Sequence, residues 1–155
     1  MGVSGSGKST IGKMLSEKTG IPFFDGDDFH PPSNIQKMAS GQSLNDDDRQ
    51  GWLKALNELA RKEIQNNGAV IASSALKKSY RNILKKGLSH CFFIFLQGSF
   101  ETIKKRMEVR AGHFMPVDLL KSQFDALEFP DEALIVDILK GPDEIVKQIM
   151  FAVLE

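Results

Sequence analysis

Residues 2–9 read Gly-Val-Ser-Gly-Ser-Gly-Lys-Ser, a spacing in which three glycines, an amine and a hydroxyl can act on one anion. Gly2, Gly5 and Gly7 permit a tight turn that aims a row of backbone N–H groups inward, a concavity that β-carbons would crowd. The helix expected from Lys8 adds the positive end of its dipole. Together these residues complete the phosphate-binding pattern G-x-x-x-x-G-K-[ST]. Lys8 then reaches the β- and γ-phosphates of a nucleotide, and the Ser9 hydroxyl is placed to ligate the accompanying magnesium. A Gly/Ser linker explains Gly5 and Ser6 but not a Lys-Ser pair opening an amphipathic helix.

The elements that must hold this loop follow from periodicity. Ile11, Met14 and Leu15 predict a helix over Lys8 to Thr19, closed by Gly20. Ile21 to Asp25 reads as a short strand ending in the acids Asp25, Asp27 and Asp28, with His30 beyond. Ser33 to Gln36 reads as a capping box for a short helix with Ile35 and Met38 inward. A longer helix starts near Asn45 or Asp46, with Trp52, Leu56, Leu59, Ala60 and Ile64 as its buried stripe. These two helices, about 29–66, exceed a simple crossover and read as an inserted flap over the site.

Strands are expected at Ala69–Ser73, Phe92–Leu96 and Leu134–Ile138, and helices at Leu76–Lys86, after Ser99, at Val117–Leu127 and after Pro142. A Gly-His-Phe-Met-Pro break at 112–116 interrupts the pattern and suggests a lid at about 110–130. Strands alternating with helices give the fold class: a parallel three-layer α/β domain.

A chain of 155 residues is one domain, 1–155, that buries about 70% of its unfolded surface without staples. Twenty basic and twenty acidic side chains cancel, so the totals favour neither nucleic acid nor an anionic membrane as partner. The one cysteine, Cys91, lies in an apolar run and is expected to be a buried thiol in a reducing compartment. The longest apolar run is far too short to cross a bilayer, so the expectation is a soluble cytoplasmic protein.

A GTP switch would need N-K-x-D to read guanine, which is absent. Asp48-Arg49-Gln50-Gly51 matches D-x-x-G only inside a helical pattern. A small kinase remains, and phosphoryl transfer needs a cradle, a metal, an oriented hydroxyl and positive charge on the transferring group. Asp25 and Asp27, at the strand's end, are expected to point in different senses, one holding a metal-bound water and the other facing the acceptor. Arg106 and Arg110 lie one helical turn apart before the glycine break, as in a lid that closes on a nucleotide. His30 and Arg49 are further substrate candidates.

These residues resemble the gluconate kinase (gluconokinase) family of P-loop small-molecule kinases. The resemblance rests on residues 2–10 including Thr10, on Asp25-Gly26-Asp27-Asp28-Phe29-His30-Pro31, on Lys37 to Gly41 and on Leu44 to Arg49 with Trp52-Leu53. It continues through Ser74-Ala75-Leu76-Lys77-Lys78, Tyr80-Arg81, Arg110, Gly112-His113-Phe114 and Ser122-Gln123-Phe124. It implies transfer of the ATP γ-phosphate to the 6-hydroxyl of D-gluconate, with magnesium. Asp27 would hold the reacting hydroxyl, Lys8 and Arg110 the transferring phosphoryl, and Ser9 with Asp25 the metal. Asp27, His30, Arg49, Lys77 and Arg81 offer groups for a polyhydroxy acid, and Ser74 to Lys77 are placed to line its pocket.

The resemblance further implies a homodimer and a sheet ordered 2-3-1-4-5. Relatives carry an apolar strand ending in Met before the first glycine, so Met1 resembles that internal residue and the first strand is expected to be missing. Four strands are expected, with a gap between the second and fourth in the family count, and with backbone groups left unpaired there at about 1 to 3 kcal/mol each. Rival readings are a kinase for another small hydroxy acid or sugar acid, shikimate kinase-like, a nucleotide-binding module without turnover, and a nucleic-acid-associated ATPase.

Overall fold

The structure is a computed structural model, and it describes residues 1–110 and 117–154. Helix α1 spans Lys8–Thr19, and β1, Phe23–Asp25, leads into a tight 3-10 turn, Gly26–Phe29. Helices α2, Pro32–Ala39, and α3, Asp46–Glu63, precede β2, Val70–Ala72, and α4, Lys78–Lys85. Then come β3, Ile94–Gln97, α5, Phe100–Val109, α6, Val117–Ala126, β4, Leu134–Asp137, and α7, Pro142–Leu154. The expected alternation is present, and every strand pairing is parallel.

The four strands form two separate pairs, β1-β2 and β3-β4. The expected gap therefore exists, but it lies between β2 and β3. These correspond to the third and fourth strands of the order 2-3-1-4-5, so the expected position was one strand off. Met1 lies in that space. Its amine donates to Ile94 O at 2.5 Å, its carbonyl accepts from Leu96 N at 3.0 Å, and Gly2 N donates to Ser74 O at 3.2 Å. Met1 thus continues the parallel ladder on β3, and Gly2 ties it to the chain leaving β2. Beside it runs a cavity of about 450 Å³ whose walls include Ile11, Leu15, Val70, Ile71, Ile94 and Ile149.

Two clusters form the core. The larger joins α1, α5, α7 and the β3-β4 pair through Val3, Ile11, Leu96, Ile103, Val136 and Val146. The smaller joins α3 and α4 through Trp52, Leu53, Leu56 and Tyr80. Three local expectations are corrected. Helix α2 starts at Pro32 with no side-chain cap, and Ile35 is exposed, because Pro at the first turn supplies the start and Asn34 takes the inward position. The capping box belongs instead to α3, where Asn45 and Asp48 satisfy each other's backbone N–H groups. Cys91 is exposed, since it precedes the first paired residue of β3; burial on one side still pushes its thiol pKa up.

The Met1 amine, ordinarily titrating near 8.0, is pushed down to about 5 by burial and by the Lys8 charge. The unfolded chain therefore binds the extra proton between these values, so stability rises with pH across that window. Melting temperature is expected to climb from about pH 5 to about pH 8.

Candidate active site

The phosphate loop is drawn tight between Val3, buried in the core, and α1. Gly7 takes φ 98° as the residue before the helix, a left-handed conformation that admits glycine readily. Lys8 Nζ lies across the loop and donates to Val3 O at 2.9 Å. Burial lowers its pKa from 10.5 to about 8, while the carboxylates of Asp27 and Asp25 oppose the fall. Both acids therefore act on the amine that the loop presents. Ser9 Oγ donates to Asp25 Oδ2 at 2.7 Å. A hydroxyl and one carboxylate beside a phosphate cradle fit magnesium, which takes few protein ligands and completes its shell with water and substrate phosphates. Among the described residues no cluster of three His, Cys, Asp or Glu could hold a metal without a substrate.

Asp27 is separated from Asp25 by a turn, not by an extended strand. Asp25 Oδ1 accepts from Asp27 N at 3.1 Å as the strand closes into the 3-10 turn. Gly26 makes this possible, because a β-carbon there would strike the Ala72 carbonyl of β2. Helix α3 then pins the turn: Trp52 Nε1 donates to Gly26 O at 2.7 Å, and the indole stacks on His30 at 4.2 Å between ring centroids. Asn34 Nδ2 donates to Asp48 O at 2.8 Å and faces His30 Nδ1 at 3.3 Å. The neutral ring then carries its proton on Nε2, 3.9 Å from Asp27 Oδ1. Burial lowers the His30 pKa, with Asp27 opposing and Arg49 assisting. His30 is buried, so it braces Asp27, whose side chain is 84% exposed.

A polar pocket of about 450 Å³ is lined by Leu44, Asp46, Arg49, Lys77, Ser122 and Gln123, among others. Asp46 accepts from Lys77 Nζ at 2.9 Å and from the Tyr80 hydroxyl, and these two bonds, Tyr80's first, lower its pKa. The Arg49 guanidinium donates to Leu44 O and to the Tyr80 hydroxyl at 3.3 Å, and it lies 5.4 Å from that ring's centroid. Arg49 and Lys77 thus line the pocket together with Asp46 and Asp47, and Asp46 is fixed by Lys77 and by the buried Tyr80 hydroxyl.

The remaining candidates divide. The Ser74 carbonyl anchors Gly2, so Ser74 supports the loop through its backbone. Arg81 is a correction: its side chain is 1% exposed, with Nε on Glu132 at 2.9 Å and NH1 on the Ala75 and Leu76 carbonyls. Its donors hold the segment before Lys77 and do not reach the pocket, because a buried guanidinium must be satisfied where it lies. Arg106 NH2 donates to Ile138 O at 2.5 Å, beyond the end of β4, and Arg110 is exposed at the end of α5. The centre of the expected lid, 111–116, lies outside the described residues. Asp46 and Gln123 were missed as pocket groups, and Tyr80 as the buried residue that holds Asp46. Asp46 resembled a helix-dipole acid and Tyr80 a core residue; the Ser-Gln-Phe run was the only signal for Gln123.

A phosphate loop opening α1, an acid turn at the end of the neighbouring strand and a polar pocket of mixed charge alongside define a phosphate-loop small-molecule kinase. The shikimate kinase family model matches residues 4–125. The thermosensitive gluconokinase of Escherichia coli K12 is 53% identical over 142 residues, 89% of this chain and 75% of that protein. An Arabidopsis thaliana gluconokinase is 41% identical over 166 residues, 97% of this chain and 88% of that one. The crystal structure of a gluconokinase from Sinorhizobium meliloti 1021 superposes with a TM-score of 0.90 at 42% identity, covering 99% of this chain and 89% of that one. The chain belongs to the gluconokinase family within that kinase class.

Two outcomes follow from this geometry. Nucleotide affinity should fall as pH rises past about 8, where Lys8 loses its proton, as read by fluorescent-nucleotide titration. Trp52→Phe leaves the Gly26 carbonyl without its donor, which should cost about 1 to 3 kcal/mol in urea denaturation and lower turnover by loosening Asp27.

Proposed function

We propose that the chain transfers the γ-phosphate of ATP to the 6-hydroxyl of D-gluconate, giving 6-phosphogluconate and ADP. The observation that carries this reading is the pairing of the Lys8 loop and the Asp25–Asp27 turn, coupled electrostatically, beside a pocket lined by Arg49 and Lys77. Those two cations suit a carboxylate, and the fixed polar groups around them suit a chain of hydroxyls. Asp27 accepts the proton of the reacting hydroxyl, while His30 Nε2 steadies its carboxylate. Lys8 and Arg110 neutralise charge on the transferring phosphoryl, and residues 2–10 with Arg106 hold the nucleotide. Ser9 and Asp25 would hold magnesium, which when bound neutralises charge on the β- and γ-phosphate oxygens.

The working unit is one domain, 1–155, with an acceptor-binding insertion at about 29–66 and a lid at about 110–130. The kinase is proposed to work as a cytoplasmic homodimer on a small molecule, with neither nucleic acid nor membrane as partner. No helix among the described residues is long and apolar enough to cross a membrane.

ADP release measured with gluconate, shikimate, glucose or no acceptor tests the reading, and only gluconate should give rapid turnover. Faster turnover with shikimate would support the shikimate kinase-like alternative, and acceptor-independent hydrolysis would defeat the kinase reading. Asp27→Asn should lower kcat by about 10² to 10⁴ with nucleotide affinity within a few-fold of the unsubstituted chain.

A further inference from the structure

Gln123 projects from the middle of α6, and its Oε1 accepts the Ser4 N–H of the phosphate loop at 2.7 Å. That bond orients the carboxamide: since Ser4 N can only donate, the oxygen faces the loop and Nε2 points away from it. Gln123 also lines the polar pocket with Arg49 and Lys77. Among the described residues no protein acceptor takes the Nε2 hydrogens. The helix beneath it is held from the other side. Ser122 Oγ donates to Leu119 O at 2.8 Å, so the contact of 2.8 Å with Ser43 Oγ is a bond donated by Ser43, in the segment leading to α3.

We infer that Gln123 is a further acceptor-positioning residue, whose carboxamide is registered by the Ser4 N–H and donates through Nε2 to a hydroxyl oxygen of the acceptor. This rests on the acceptor reading above and adds to it a direct link between phosphate loop and acceptor. One amide spans both partners of the transfer. The distance between acceptor and terminal phosphate is then set by one side chain of α6, within the proposed lid. Arg49 and Lys77 provide charge for the acceptor; Gln123 provides its register along the line of transfer.

Two variants test this, each with melting temperature and nucleotide affinity measured alongside. Gln123→Met keeps length and volume but has neither donor nor acceptor. It should raise the KM for gluconate by about tenfold, the equivalent of one net hydrogen bond, and lower kcat, with nucleotide affinity within about threefold. Gln123→Glu retains the oxygen toward Ser4 and regains a donor only when protonated. Its kcat/KM relative to the unsubstituted chain should rise as pH is lowered from 8 to 5.5. Unchanged gluconate kinetics in Gln123→Met, or a flat ratio in Gln123→Glu, would overturn the inference and leave the kinase reading standing. Parallel losses in melting temperature and in affinity for both substrates would overturn it in favour of a purely structural role. Absence of acceptor-dependent ADP release from the unsubstituted chain would defeat both.

Discussion

The bond from Ser9 to Asp25 joins the first turn of α1 to the last residue of β1, and the rest of the site is arranged from that junction. It brings the carboxylates near an amine that burial alone would discharge more readily. A lysine whose desolvation is partly opposed by two acids gives up little when those acids turn to a metal or a hydroxyl, since an incoming phosphate replaces their field. The loop is thus electrostatically prepared for an anion before one arrives.

The helices between β1 and β2 share three duties. Trp52 holds the acid turn through the Gly26 carbonyl, Asn34 and the indole fix the His30 ring, and Arg49 with Asp46 turns outward to the pocket. All three depend on the apolar seam of Trp52, Leu53, Leu56 and Tyr80 between α3 and α4. Tyr80 belongs to that seam and also donates its hydroxyl to Asp46, so packing and polar geometry meet in one residue. Loosening of the seam and displacement of the pocket's charges are therefore one event.

Much of this was legible in the residues. Helix α1 has the bounds that Lys8, Ile11, Leu15 and Gly20 imply, and the spacing of Gly2, Gly7, Lys8 and Ser9 carried the loop. The unfilled place in the sheet was legible too, although its neighbours were misnumbered by one strand. What escaped depended on partners distant in sequence. Arg81 and Arg49 look alike as exposed-type cations, yet Glu132 and two carbonyls claim one and the pocket keeps the other. The Ser33 signal for α2 lost to Pro32, and Asp27 left the strand because Gly26 lets the backbone close against Ala72. Gln123 meets Ser4 across 119 positions, a distance no local pattern reports.

Met1 pairs with β3 and Gly2 bonds to the chain leaving β2, so the link between the two strand pairs and the start of the phosphate loop share a single strap of main chain. A ligand that favours the ordered loop therefore also favours the linked strands, and the coupling is reciprocal. A nucleotide seated on the loop consequently acts as a clasp for the whole β-layer.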